Sequence, residues 1–130
     1  MFSFGKRSES ILMTCDERLR MVAREAILTY DFAVISGHRT REEHQRNLDA
    51  GTTTVPYEKS KHSLNLSHAI DLAPWPIDWQ DTDRFFFLAG VMFMAAKKCK
   101  VPIRWGGDWN RDFNFKNQNF FDLPHFELVT

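Results

Sequence analysis

The chain has 130 residues, 43% of them apolar, with 17 basic side chains balanced by 17 acidic ones. That length and apolar share suffice for one domain with its own core, and they exclude a disordered chain. The absence of net charge removes the usual electrostatic case for binding nucleic acid or an anionic membrane.

The opening, Phe2 to Ser8, is too short and irregular to assign to an element. Thr14 with Glu17 forms a capping-box pattern, and Leu19, Val22, Ala23, Ala26 and Ile27 follow as one apolar helical stripe. Phe32-Ala33-Val34-Ile35 reads as a short buried strand cut off by Ser36-Gly37. Thr40 with Glu43 is a second capping box, opening a polar helix that Gly51 closes. Leu48 is its only large apolar residue, which places this helix at the surface. Residues 52–59 are loop, and Ala69 to Leu72 is a strand stopped by Pro74. Trp75 and Trp79 flank Pro76 in a turn. Thr82 to about Lys100 is predicted to be a central buried helix, apolar on nearly every side. Its apolar run, Phe85 to Ala96, falls short of the ~20 residues that cross a bilayer. Val101 to Trp105 is a strand with Pro102 at its start, Asn110 to Gln118 is polar loop, and His125 to Val129 is a last strand. Short strands next in sequence to one another or to helices predict an α+β domain with a small antiparallel sheet.

Cys15 and Cys99 stand alone, outside any CxxC pattern, and read as free thiols in a reducing compartment. No apolar segment of leader type follows Lys6 and Arg7, so a soluble cytoplasmic product is expected.

The chemistry centres on His62 and Asp71, which flank a Ser/Asn-rich excursion, and on His125 near the far end of the chain. Two neutral imidazoles and a carboxylate suit zinc, and a fourth position left to water marks a catalytic site. His68 is the alternative ligand. Alternation along the strand puts it on the side of Ile70 while Asp71 sides with Ala69, which favours His62. Non-haem iron oxygenases also use two histidines and a carboxylate, but space the first pair two apart on one strand; here the interval is nine. His125 and Glu127 share one strand face with Phe126 and Leu128 on the other, and Glu127 reads as a carboxylate behind the ligands or at the surface rather than as a ligand itself. Asp122, three residues before His125 and held by Pro124, is either a plain loop aspartate or the general base. Arg39 is either a surface arginine or a guanidinium fork for a substrate carboxylate or an oxyanion. Of Trp105 and Trp109 one belongs to the core and one to a cleft wall, with Trp109 taken as the substrate-binding wall. His38 and His44 are placed beside a turn and on a polar helix surface.

Six segments together carry a resemblance: Phe4-Gly5-Lys6-Arg7-Ser8-Glu9, Ser36-Gly37-His38-Arg39-Thr40, Ser60-Lys61-His62, Ala69-Ile70-Asp71, Trp105-Gly106-Gly107-Asp108-Trp109-Asn110 and Asp122-Leu123-Pro124-His125. Over almost its whole length the chain resembles the phage endolysins that are L-alanyl-D-glutamate peptidases, relatives of the zinc D-alanyl-D-alanine carboxypeptidases and dipeptidases. The resemblance implies one zinc on His62, Asp71 and His125, Asp122 as general base, and Arg39 beside the scissile peptide. It implies an enzyme that cuts peptidoglycan stems between L-Ala and D-Glu to lyse the host. With no separate wall-binding domain, the expected target is a thin, Gram-negative wall. The expected protein is a monomer that waits in the host cytoplasm for a holin-type permeabilising partner and then acts in the periplasm. The alternatives are a D-alanyl-D-alanine peptidase on the same scaffold and a non-catalytic wall-binding module with a structural zinc. The superfamily pattern SxHxxGxAxD spaces histidine and aspartate seven apart; here Asn65-Leu66-Ser67 replaces the glycine turn and widens the interval. The base is aspartate where many relatives carry glutamate.

Overall fold

A computed structural model describes residues 2–129. Its helices are α1 (Lys6–Leu12), α2 (Glu17–Ala26), α3 (Arg41–Ala50) and α4 (Thr82–Cys99). Its strands are β1 (Phe32–Ser36), β2 (Ala69–Pro74), β3 (Ile103–Gly106) and β4 (Asp122–Leu128). The strands form one sheet in the order β1-β2-β4-β3, with every pair antiparallel. The α+β class read from the sequence is the class observed.

Alternation along the strands divides the sheet into two faces. Ile70 and Leu72 of β2, Ile103 and Trp105 of β3, and Phe126 and Leu128 of β4 join Leu19, Val22, Leu88 and Met92 of the helices in the core. Asp71, His125 and Glu127 fall on the alternate positions, and the site is built from them.

Several local expectations need correction. Residues 6–12, left unassigned, form α1, which packs on β1. The N-cap of α2 is Asp16, which accepts from the Arg18 amide at 2.9 Å, so the Thr14–Glu17 box does not form. Thr14 instead donates to the Ile11 carbonyl and accepts from the His38 amide, joining the α1–α2 turn to the end of β1. The Thr40–Glu43 box and the left-handed Gly51 cap are both present. His44, expected on the surface of α3, is its buried residue, and its Nε2 meets the Val55 carbonyl at 2.6 Å. The helix α4 is not buried all round: Phe87 is 58% and Met94 68% exposed, because only one side meets α2 and the sheet.

The last strand begins three residues earlier than expected, at Asp122, and it is interior to the sheet. Proline in an interior strand needs a break in the ladder. The β3–β4 register supplies it: Trp105 pairs with Phe126 but Gly106 with Asp122, so Pro124 lies in the bulge. Pro102 stands outside β3, where its carbonyl accepts from Val129.

Candidate active site

The β2–β4 register sets Asp71 directly opposite His125. His62 arrives from the short 3-10 turn Lys61–Ser63, where its amide donates to Ser60 Oγ at 3.3 Å. The His62 carbonyl accepts from the Arg39 amide at 2.8 Å and the Lys61 carbonyl from the His68 amide at 3.1 Å. The long interval between His62 and Asp71 is therefore not slack. Ser67 exchanges backbone bonds with Thr14 and Asp16 at 2.9 and 2.8 Å, and Leu64 receives the His38 ring at 3.0 Å. The α1–α2 turn thus anchors the Asn65-Leu66-Ser67 excursion that widens the interval. His68 points elsewhere, with Nε2 3.6 Å from Asp16. The residues brought together are His62, Asp71 and His125.

Their facing atoms make a nearly equilateral triangle. His62 Nε2 is 3.4 Å from His125 Nδ1, and each lies 3.3 Å from Asp71 Oδ1. A tetrahedral ion with bonds of ~2.0–2.1 Å would space its donors by about 3.3–3.4 Å. Behind the triangle both rings are locked. His62 donates Nδ1–H to the Gly37 carbonyl at 2.7 Å, and His125 donates Nε2–H to Glu127 at 2.8 Å. Those bonds leave one imidazole lone pair from each ring aimed at the same point. Gly37 can sit close enough because it has no side chain: a Cβ there would strike Thr14 and Cys15. Among the described residues no fourth His, Cys, Asp or Glu joins the group, and Asp71 keeps a partly exposed carboxylate. The donor set fits a metal ion with an open position.

The charges support the same fit. Burial works against a charged His125, yet its bonds to Asp71 and Glu127 push it up to about 10. Burial would also raise Asp71, but the neighbouring His62 and both imidazole hydrogen bonds hold its carboxyl far below the usual range. Glu127 is likewise opposed by burial and held down to about 2 by His125 and Lys61. Asp71 and Glu127 thus stabilise positive charge at His125 Nδ1, whether it is a proton or a cation that displaces the proton.

Around the triangle stand the other expected residues. Asp122 is on β4 rather than in a loop, and burial followed by the Asp71 charge raises its carboxyl above the ordinary value. Arg39 places Nη2 3.4 Å from Asp71 Oδ2 and 3.5 Å from Ser36 Oγ. Trp105 is core, 1% exposed, while Trp109 is half-buried with its ring 5.5 Å from that of His125. Glu127 is buried behind His125. Two of its partners escaped the sequence reading: Lys61 Nζ at 3.0 Å and Arg104 Nη1 at 3.3 Å. Lys61 carried no signal beyond standing next to His62. Arg104 becomes visible only once the β3–β4 register sets it opposite Glu127.

With this geometry in view, the likenesses to known proteins are specific. The family described as phage L-alanyl-D-glutamate peptidase matches residues 1–129. The L-alanyl-D-glutamate peptidase of Escherichia phage T5 is 35% identical, over 98% of this chain and 98% of its own. The crystal structure of the Serratia marcescens L-Ala D-Glu endopeptidase ChiX superposes with a TM-score of 0.77 at 26% identity, covering 98% of this chain and 90% of that one. The chain belongs to the phage L-alanyl-D-glutamate peptidase family.

Proposed function

We propose that the protein is a zinc-dependent endopeptidase that cleaves peptidoglycan stems between L-Ala and D-Glu and so lyses the bacterial host. The observation that carries this is the triangle of His62, Asp71 and His125 donors, with both imidazoles locked from behind and one side open. When bound there, zinc supplies a Lewis acid and lowers the pKa of water.

The remaining work falls to the chain. Asp122, raised by burial and by the Asp71 charge, takes the proton of the attacking water and returns it to the departing amine. Arg39, at one end of the cluster, offers a planar fork to the free carboxylate of D-Glu. Trp109, at the other end, walls the cleft and shields His125 from water. Glu127 keeps His125 in the tautomer that presents Nδ1.

Among the described residues no helix is long and apolar enough to cross a membrane. On this reading the protein collects in the host cytoplasm and a holin-type partner admits it to the periplasm. Mass spectrometry of fragments released from purified peptidoglycan tests the reading. New L-Ala carboxyl and D-Glu amino termini, abolished by a chelator and restored by zinc, are expected. Cleavage between D-alanines, or activity indifferent to chelation, would overturn it.

A further inference from the structure

The sheet order gives the cleft two unlike ends. Arg39 follows the edge strand β1 and reaches Asp71, while Trp109 follows the opposite edge strand β3 and reaches His125. Beyond Trp109 the surface is aromatic. Phe120 stacks on Trp109 with centroids 6.4 Å apart and planes at 21°. Large apolar side chains exposed singly are ordinary, but a stacked pair continuous with a reaction site calls for a ligand. Phe120 is 61% exposed, and Phe121 beside it 47%.

The pair is held in place before any ligand arrives. Trp109 donates its indole N–H to the Phe120 carbonyl at 3.0 Å and its amide to Gln118 at 3.0 Å. The Gln118 side-chain amide in turn lies within donating distance of Asn117 Oδ1 at 2.6 Å and Asn110 Oδ1 at 3.2 Å, and Asp108 accepts from the Phe113 amide at 2.8 Å. An aromatic platform fixed in this way loses little entropy when something stacks on it.

We propose that Trp109 and Phe120 form a glycan subsite that receives the N-acetylmuramic acid ring from which the stem peptide hangs. The inference rests on the reading of the cleft as an L-Ala–D-Glu peptidase site. If Arg39 takes the D-Glu carboxylate, the L-Ala side of the scissile bond points to the β3 edge. L-Ala and the lactyl group together span about two residue lengths of ~3.3–3.6 Å each before the sugar begins. That reach, about 7 Å, passes Trp109, 5.5 Å from His125, so that the sugar ring begins beyond Trp109 and extends over Phe120, which stacks on it. The apolar C–H face of a neutral pyranose suits an uncharged aromatic face.

The test compares kcat/KM of the zinc-loaded protein on two substrates that differ only in the sugar. One is the stem tripeptide on N-acetylmuramic acid; the other is the same tripeptide with an acetylated N-terminus. Wild type is expected to prefer the sugar-bearing substrate by about tenfold, the upper range for one stacked ring. Phe120→Ala should bring that ratio close to one, and Phe120→Tyr should retain it, with zinc content and Tm of both unchanged. A wild-type ratio near one, or a ratio that survives in Phe120→Ala, overturns the subsite while leaving the peptidase reading intact. Failure of wild type to cut either substrate at L-Ala–D-Glu overturns the underlying reading and the subsite with it.

Discussion

Arg39 and Asp71 meet across the β1–β2 edge, with Nη2 of one 3.4 Å from Oδ2 of the other. Asp71 turns Oδ1 to the two imidazoles and Oδ2 to the guanidinium. The contact is long for a charge-assisted bond, so the fork is not committed to Asp71 and can turn towards a substrate anion.

Lysine at this position keeps the charge and loses the fork. Arg39→Lys is expected to fold, to hold its metal, and to lose kcat/KM by about 10- to 100-fold, the worth of a charged hydrogen bond. Steady-state kinetics alongside elemental analysis would decide it. Wild-type kinetics in the variant would reduce Arg39 to a surface residue.

Metal content should separate the histidines. His62→Ala and His125→Ala each remove one corner of the triangle and are expected to lose most bound zinc. His68→Ala, whose ring faces Asp16, should remain replete. The reverse pattern in elemental analysis would mean that the cleft rearranges around His68 when metal binds.

How much of this could be read from the sequence depended on whether the signal was local. Alternation in Ala69 to Leu72 separates Asp71 from His68 and Ile70, and alternation in His125 to Leu128 separates His125 and Glu127 from the core residues, because a strand's period is a local property. The Thr40–Glu43 cap was legible for the same reason. Thr14–Glu17 had the identical pattern and failed, since Thr14 is bound to His38 and Asp16 was free to cap instead. The all-round apolarity of α4 suggested full burial, yet a four-stranded sheet and one neighbouring helix cover only one side of it. Lys61 and Arg104 were invisible because their meeting at Glu127 is decided by tertiary register.

That meeting has a measurable consequence. Glu127 fixes the His125 tautomer as an anion held by two cations, and groups in this position typically change metal affinity 10- to 100-fold. Glu127→Gln can still accept from Nε2–H but gives up the charge. Its zinc affinity, from competition with a chromophoric chelator, is expected to fall by about tenfold or more. Lys61→Met should lie between this variant and wild type. Unchanged affinity in Glu127→Gln would show that the ligand orientation is set by packing alone.

Two glycines should respond with opposite signs. A Cβ on Gly106 would collide with the Asp122 carbonyl, a backbone atom of the interior strand that cannot step aside. Gly106→Ala is expected to lower Tm by roughly 5–15 °C and to displace Asp122 along with its activity. Gly90 is a helical residue with nothing within 4 Å of its Cβ position, so Gly90→Ala should raise stability slightly. Thermal scans of both variants check the pair, and a neutral Gly106→Ala would mean that the bulge is more yielding than its close approach indicates.

The decisive substitution is at Asp122. Its side chain is not among the metal-competent group, and it sits three residues before His125 on the same strand. Burial and the Asp71 charge raise its carboxyl, which makes it a better proton acceptor than an ordinary aspartate. A base must be ionised to act, so wild-type kcat/KM should fall as pH drops through that raised value. Asparagine is nearly the same size and still accepts a hydrogen bond, but it takes no proton at neutral pH. Asp122→Asn should keep its zinc and its fold while turnover falls by about 10²–10⁴-fold, the usual worth of general acid–base assistance. The residual activity should also lose the acid limb that Asp122 imposes. Zinc content, Tm and the pH profile of hydrolysis, measured on one preparation, settle the assignment. A folded, zinc-replete variant that hydrolyses peptidoglycan at near wild-type rate would remove Asp122 from the mechanism. Glu127 could not simply take its place, because both its oxygens are already engaged by His125, Lys61 and Arg104.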